Sequence, residues 1–162
     1  MDKRPDIKTI LYTSDLGGHT YPVFHHAIAS AKQNDAKIIM LHVVEPITDA
    51  VKAVIDTYYP KERTERTQKE TMREILETMK KRLKKFYRDQ SYEKEYSELV
   101  KEVIVVAGKP SEEILRVAEE EGADMIVMGK STRKVRGIRI MGSTARRVSR
   151  MSPIPVLIVP NF

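Results

Sequence analysis

The stretch at residues 35–46, DAKIIMLHVVEP, constrains the fold of this chain more than any other. Between positions 38 and 44 every residue is apolar except His42, and apolar and polar residues do not alternate. A strand with one wet face alternates. A strand apolar on both faces belongs to a parallel sheet covered by helices on both sides. Shorter apolar runs repeat the theme in TILYT, LVKEVIVVAG, ADMIVMG and IPVLIVP.

Helical spacing fills the intervals between these runs. After Pro22, the apolar residues Val23, Ala27, Ile28 and Ala31 recur three and four apart. Met72, Ile75, Leu76, Met79, Leu83, Phe86 and Tyr87 form a longer stripe, with a Lys, Arg and Glu face opposite that reads as solvated. In PSEEILRVAEEEG, Pro110 suits a first turn, and Glu112 and Glu113 complement the helix dipole. Gly122 is placed as its C-terminal cap. Ala145, Val148 and Met151 mark a last helix over Ser143–Met151.

The order β-α-β-α-β-α-β-α-β predicts an α/β fold, a doubly wound open twisted sheet of five parallel strands. Residues 1–162 read as a single domain, with an irregular insertion at about 47–70 in one connection. Hydrophobic residues at 41% and charged residues at 32% fit a globular chain rather than a disordered one. The absence of cysteine excludes disulfides, thiolate metal sites and a cysteine nucleophile. No apolar run reaches the roughly 18 residues of a membrane span. MDKRPDIKT lacks the apolar core of a signal peptide, so a cytoplasmic location is expected.

Charge is concentrated. Residues 129–150 carry eight positive charges (Lys130, Arg133, Lys134, Arg136, Arg139, Arg146, Arg147 and Arg150) and no acid. Without those eight, the +6 of the whole chain becomes −2. Such a patch implies an anionic partner, a phosphate, a nucleic acid or an acidic protein, or else a solvated loop.

Within the patch, Gly129-Lys130-Ser131 spells the end of a P-loop, G-x-x-x-x-G-K-[ST]. The first glycine of that motif should stand at position 124, which is Asp124, and Met125 to Met128 belong to a strand. No loop exists to wrap a phosphate, so the P-loop reading fails. G-x-G-x-x-G is absent too. What remains is a glycine at a strand end, where backbone can approach a ligand closely. Thirteen residues later Gly142-Ser143-Thr144 opens a helix, whose free N–H groups and dipole favour an anion. In open parallel sheets ligands bind beyond the carboxyl ends of the strands, where strand order reverses.

Gly129, Lys130-Ser131, Thr132, nine residues to Met141, and then Gly142-Ser143 resemble the G-x2-G-x9-G-[ST] pattern of nucleotide-binding members of the universal stress protein family. ILYTSDL, LHVVEP, GKPSEEI, ADMIVMG and SPIPVLIVP are similar to that family's other landmarks in order and spacing, so the resemblance covers almost the whole chain. It implies a Rossmann-like sheet of the adenine nucleotide alpha hydrolase-like kind, with strand order 3-2-1-4-5. It implies ATP as ligand, with or without Mg²⁺, and a homodimer through the last strand, 156–159. Asp15 would bind ribose or adenine beside Thr13 and Ser14, and Val43 would meet adenine through its backbone. Met128 and Gly129 would line the base and phosphate path. Gly142, Ser143 and Thr144 would hold phosphates, with Thr132 in the pattern and Lys130 and Arg133 as further phosphate contacts.

Each residue also has a plainer role. Asp15 could be a turn carboxylate, Val43 core, and Ser143 an ordinary N-cap. One departure from the pattern matters: its second glycine is Thr132, and a β-branched residue suits φ > 0 poorly. The family has a branch, altered in this loop, that does not bind ATP. A member acting through dimerisation and an unknown protein partner therefore stays open.

A nucleic-acid binder using residues 130–150 is the weaker alternative, because STRKVRGIRIM has no aromatic residue for stacking and no groove-binding motif. His25 and His26 diverge on a helix, and His42 reads as a hydrogen-bonded core histidine, so no metal site is expected from side chains. Gly17-Gly18 after Asp15 has the wrong order for a pyrophosphatase loop. No catalytic residue can be named, and no general base is in view. At most a slow ATPase is expected.

Overall fold

The computed structural model describes residues 4–14, 20–46, 49–58, 69–70, 72–74, 76–78, 80–81, 84–85, 88, 93–131 and 133–161. Five strands form one parallel sheet: β1 (Thr9–Thr13), β2 (Lys37–Val44), β3 (Val100–Ala107), β4 (Met125–Gly129) and β7 (Val156–Val159). Their order is β3-β2-β1-β4-β7, with β1 paired to both β2 and β4. This is the expected order 3-2-1-4-5 once the two strands of a separate hairpin are set aside. The direction of winding reverses between β1 and β4.

The doubly apolar strands are buried on both faces, as their composition requires. Ile10, Tyr12, Ile38 and Met40 pack with Phe24, Ala27 and Ala31 of α1 (Tyr21–Asn34). Leu11, Ile39, Leu41, Ile126 and Met128 pack on the other side with α4 (Pro110–Glu120) and α5 (Ser143–Met151). A fully buried Leu or Ile of this kind contributes about 1.5–3 kcal/mol by burial. The lower ends of β1 and β4 are tied together, because the N–H groups of Lys8 and Thr9 both donate to Asp124 Oδ2 at 2.9 Å.

Helix boundaries follow local chemistry. Pro22 lies in the first turn of α1, and Asp35 ends the helix in the left-handed region at φ 51. Pro110 opens α4, and Gly122 turns the chain after it at φ 61.

Three segments differ from the sequence reading. Residues 49–58, expected to be irregular, form helix α2 (Asp49–Tyr58). Val51, Val54 and Tyr58 have helical spacing but are 49%, 59% and 78% exposed, so burial of these three did not mark the pattern. A short α3 (Glu93–Leu99) leads straight into β3. The basic segment after β4 is not a plain loop: β5 (Arg133–Val135) and β6 (Ile138–Ile140) pair as an antiparallel hairpin. Its turn places Arg136 at φ 50 and Gly137 at φ 80, the double positive-φ geometry that matches strand twist. Of the long stripe, Met72 and Leu76 lie in helical backbone and are half-buried, while Ile75, Met79, Leu83, Phe86 and Tyr87 lie outside the described residues.

Candidate functional site

A cleft of about 570 Å³ opens where β1, β2 and β4 end and α5 begins. This is within the usual range for small-molecule sites, about 300–1,000 Å³. Thr13 and Ser14 reach it from β1, Val43 from β2, and Met128 and Gly129 from β4. Gly142, Ser143 and Thr144 close it from the start of α5. The fold thus brings together eight of the residues read from sequence, drawn from four separate segments. Asp15 and Thr132 lie outside the described residues, as does the Arg133 side chain. Lys130 is half-buried beside the cleft and its side chain does not line it.

The β1–β2 side is buried and hydrogen-bonded. Ser14 is 7% exposed, and its N–H donates to the Leu41 carbonyl at 2.9 Å, carrying the ladder one residue past β1. The Ser14 carbonyl in turn accepts from His42 Nδ1 at 2.6 Å. A carbonyl can only accept, so Nδ1 is the donor in this bond. His42 is 9% exposed, a hydrogen-bonded histidine that also lines the cleft.

The β4–α5 side is built from backbone. The Lys130 N–H donates to the Val159 carbonyl at 2.8 Å, and the Gly142 N–H donates to the Lys130 carbonyl at 3.1 Å. The segment that carries the hairpin is therefore closed at its base, against the end of β7. Ser131 sits in the left-handed region at φ 51, and its N–H donates to Asn161 Oδ1 at 2.7 Å. Gly142 fits tightly: a Cβ there would lie 2.8 Å from the Ser131 carbonyl oxygen. A Cβ on Gly129 would lie 2.5 Å from Asn161 Nδ2.

Gly142 is also the N-cap of α5, so Ser143 is the first residue inside the helix rather than its cap. No side chain caps this end, which leaves the first-turn N–H groups and the positive end of the dipole directed at the cleft mouth. Arg146, Arg147 and Arg150 line the exposed face of the same helix. Arg147 approaches Glu112 at 3.8 Å, an exposed pair that contributes little.

Sequence reasoning missed Thr20, Ser131 and Asn161 as cleft residues. Asn161 stands two residues past β7, and its place in the cleft depends on β7 lying beside β4. Among the described residues, no group of three His, Asp or Glu could hold a metal ion, and no helix is long and apolar enough to cross a membrane.

Residues 6–160 match the model of the universal stress protein family. The chain is 29% identical over 159 residues to universal stress protein MJ0577 of Methanocaldococcus jannaschii, covering 94% of each. It is 30% identical over 137 residues to universal stress protein YxiE of Bacillus subtilis, covering 82% of this chain and 85% of that one. The solved structure of MJ0577 superposes with a TM-score of 0.73 at 26% identity, covering 97% of this chain and 98% of that one. A universal stress protein solved in complex with cAMP shares the fold, with a TM-score of 0.55 at 20% identity over 96% of this chain and 98% of that one. By family match, sheet order and full-length similarity, this chain belongs to the universal stress protein family.

Proposed function

We propose that the cleft binds an adenine nucleotide, ATP foremost, and that the protein is a nucleotide-responsive regulatory module with slow or no hydrolysis. The observation that carries this reading is the convergence of strand ends and an uncapped helix start on one cleft. The base would lie against the buried β1–β2 side, near Val43 and Ser14. The phosphates would lie against Gly129, Gly142, Ser143 and Thr144, where glycine lets backbone come close and free N–H groups can donate. Asp15, Lys130 and Arg133 are proposed as further ligand contacts, Lys130 from beside the cleft rather than from its lining.

ATP supplies anionic phosphates for these donors to hold. Mg²⁺, where present, would be held mainly by those phosphates. No residue of the cleft is assigned as a base that activates water, so bound nucleotide acts as a ligand rather than a fuel. A structure of the same fold with cAMP makes adenine nucleotides the first ligands to test. The edge position of β7 suits pairing with a second copy, which would cover an otherwise open strand. Light scattering should then give twice the mass of one chain.

Mass spectrometry of small molecules released from the purified protein, followed by titration with ATP, tests the reading. Retained adenine nucleotide, or saturable binding weakened by Asp15→Ala, is the expected result. Absence of both up to millimolar ATP would favour a member that works through protein contacts alone.

A further inference from the structure

The proposed site has one side-chain donor at its phosphate end that neither the family pattern nor the strand-end reading supplies. Asn161 lies two residues beyond β7 and lines the cleft beside Gly129 and Ser131. Its amide orientation follows from a hydrogen bond: the Ser131 N–H donates at 2.7 Å, so the atom receiving it must be Oδ1. The other atom of the amide is then the NH₂ group, which can only donate. Nδ2 lies over Gly129, at the place where a Cβ would come within 2.5 Å. Among the described residues Nδ2 has no hydrogen-bond acceptor.

One residue thus performs two tasks. Oδ1 holds Ser131 at φ 51, which shapes the first turn of the loop after β4. Nδ2 offers two N–H groups beside Gly129, in a residue that lines the cleft. The absence of a Cβ on Gly129 is what makes room for the amide there.

We infer that Asn161 binds a phosphate oxygen through Nδ2 and sets the preference of the cleft for phosphorylated nucleotides over the free nucleoside. The inference rests on the adenine-nucleotide reading of the cleft and assigns it a further specificity residue. A neutral amide donor gains most when its acceptor is anionic, so its contribution grows with the ligand's phosphate charge.

Calorimetric titration of the full chain with ATP, AMP and adenosine tests this on three proteins: wild type, Asn161→Asp and Asn161→Leu. Asp keeps the acceptor for the Ser131 N–H but replaces the donor with a carboxylate oxygen. For Asn161→Asp, ATP affinity should fall roughly tenfold or more, AMP affinity less, and adenosine affinity not at all. Its melting temperature without ligand should match wild type. Asn161→Leu should also weaken ATP more than adenosine. Equal losses for ATP and adenosine would overturn the inference, since loop support alone does not count phosphates. So would wild-type ATP affinity in Asn161→Leu. A wild-type protein that binds neither ATP nor adenosine overturns the nucleotide reading itself, and this inference with it.

Discussion

The base and the tip of the segment between β4 and α5 use glycine for opposite reasons. At the base, a Cβ on Gly142 would press on the Ser131 carbonyl at 2.8 Å, while its backbone angles are ordinary. At the tip, a Cβ on Gly137 would meet nothing within 4 Å, but φ is 80. The base needs space and the tip needs an angle. The base is closed by hydrogen bonds from Lys130, Ser131 and Gly142. The tip stands in solvent, with Val135 43% and Ile138 68% exposed. A ligand site belongs where geometry is over-determined, and a surface for other contacts belongs where it is not.

Substitutions can break this contrast. The largest effect is expected from Gly142→Val, which pushes the Ser131 carbonyl out of place and opens the base. ATP affinity should drop by about 100-fold or more, equivalent to losing roughly two charge-accepting hydrogen bonds, as read by titration. Gly129→Ala comes next. Its Cβ meets only the end of the Asn161 side chain, which can swing away, so stability should change by no more than about 1 kcal/mol. ATP affinity should still fall about tenfold, because the amide is displaced.

Gly137→Ala places a Cβ in a left-handed turn at a cost of about 1–2 kcal/mol to the hairpin itself. Because the hairpin stands apart from the core, urea unfolding of the whole domain should shift by less than that, and ATP affinity should stay within about twofold. The smallest effect is expected from Lys134→Ser with Arg139→Ser. These two cations face each other across the hairpin, and removing both should change stability by about 0.5 kcal/mol or less. A tenfold loss of ATP affinity in that double variant would show that tip and base are one site, and the contrast would fail.

Much of the fold was legible because burial writes itself into the strands. Apolar runs at 38–44, broken only by His42, and at 125–128 identify a covered parallel sheet, and Pro22, Pro110 and Gly122 mark helix ends by local chemistry. Helix α2 was hidden for the opposite reason. Its Val51, Val54 and Tyr58 are spaced for a helix but are exposed, so the signal is short. The hairpin was hidden because alternating Arg and Ile look like a loop when neither face is buried. Ser14 and Gly129 could be named from the strand-end rule, whereas Val43 and Met128 were named only through the family resemblance, since by pattern alone they read as core. Ser131 and Asn161 could not be paired from sequence, because their hydrogen bond joins residues thirty apart and depends on β7 lying beside β4.

The separation of base from tip is tested most directly by ATP titrations of wild type, Gly142→Val and Gly137→Ala under one set of conditions. It predicts saturable binding by wild type, near-equal binding by Gly137→Ala, and loss of binding by Gly142→Val while the fold is retained by circular dichroism. Equal ATP affinity in the two glycine variants, or no binding by wild type at millimolar ATP, would contradict it.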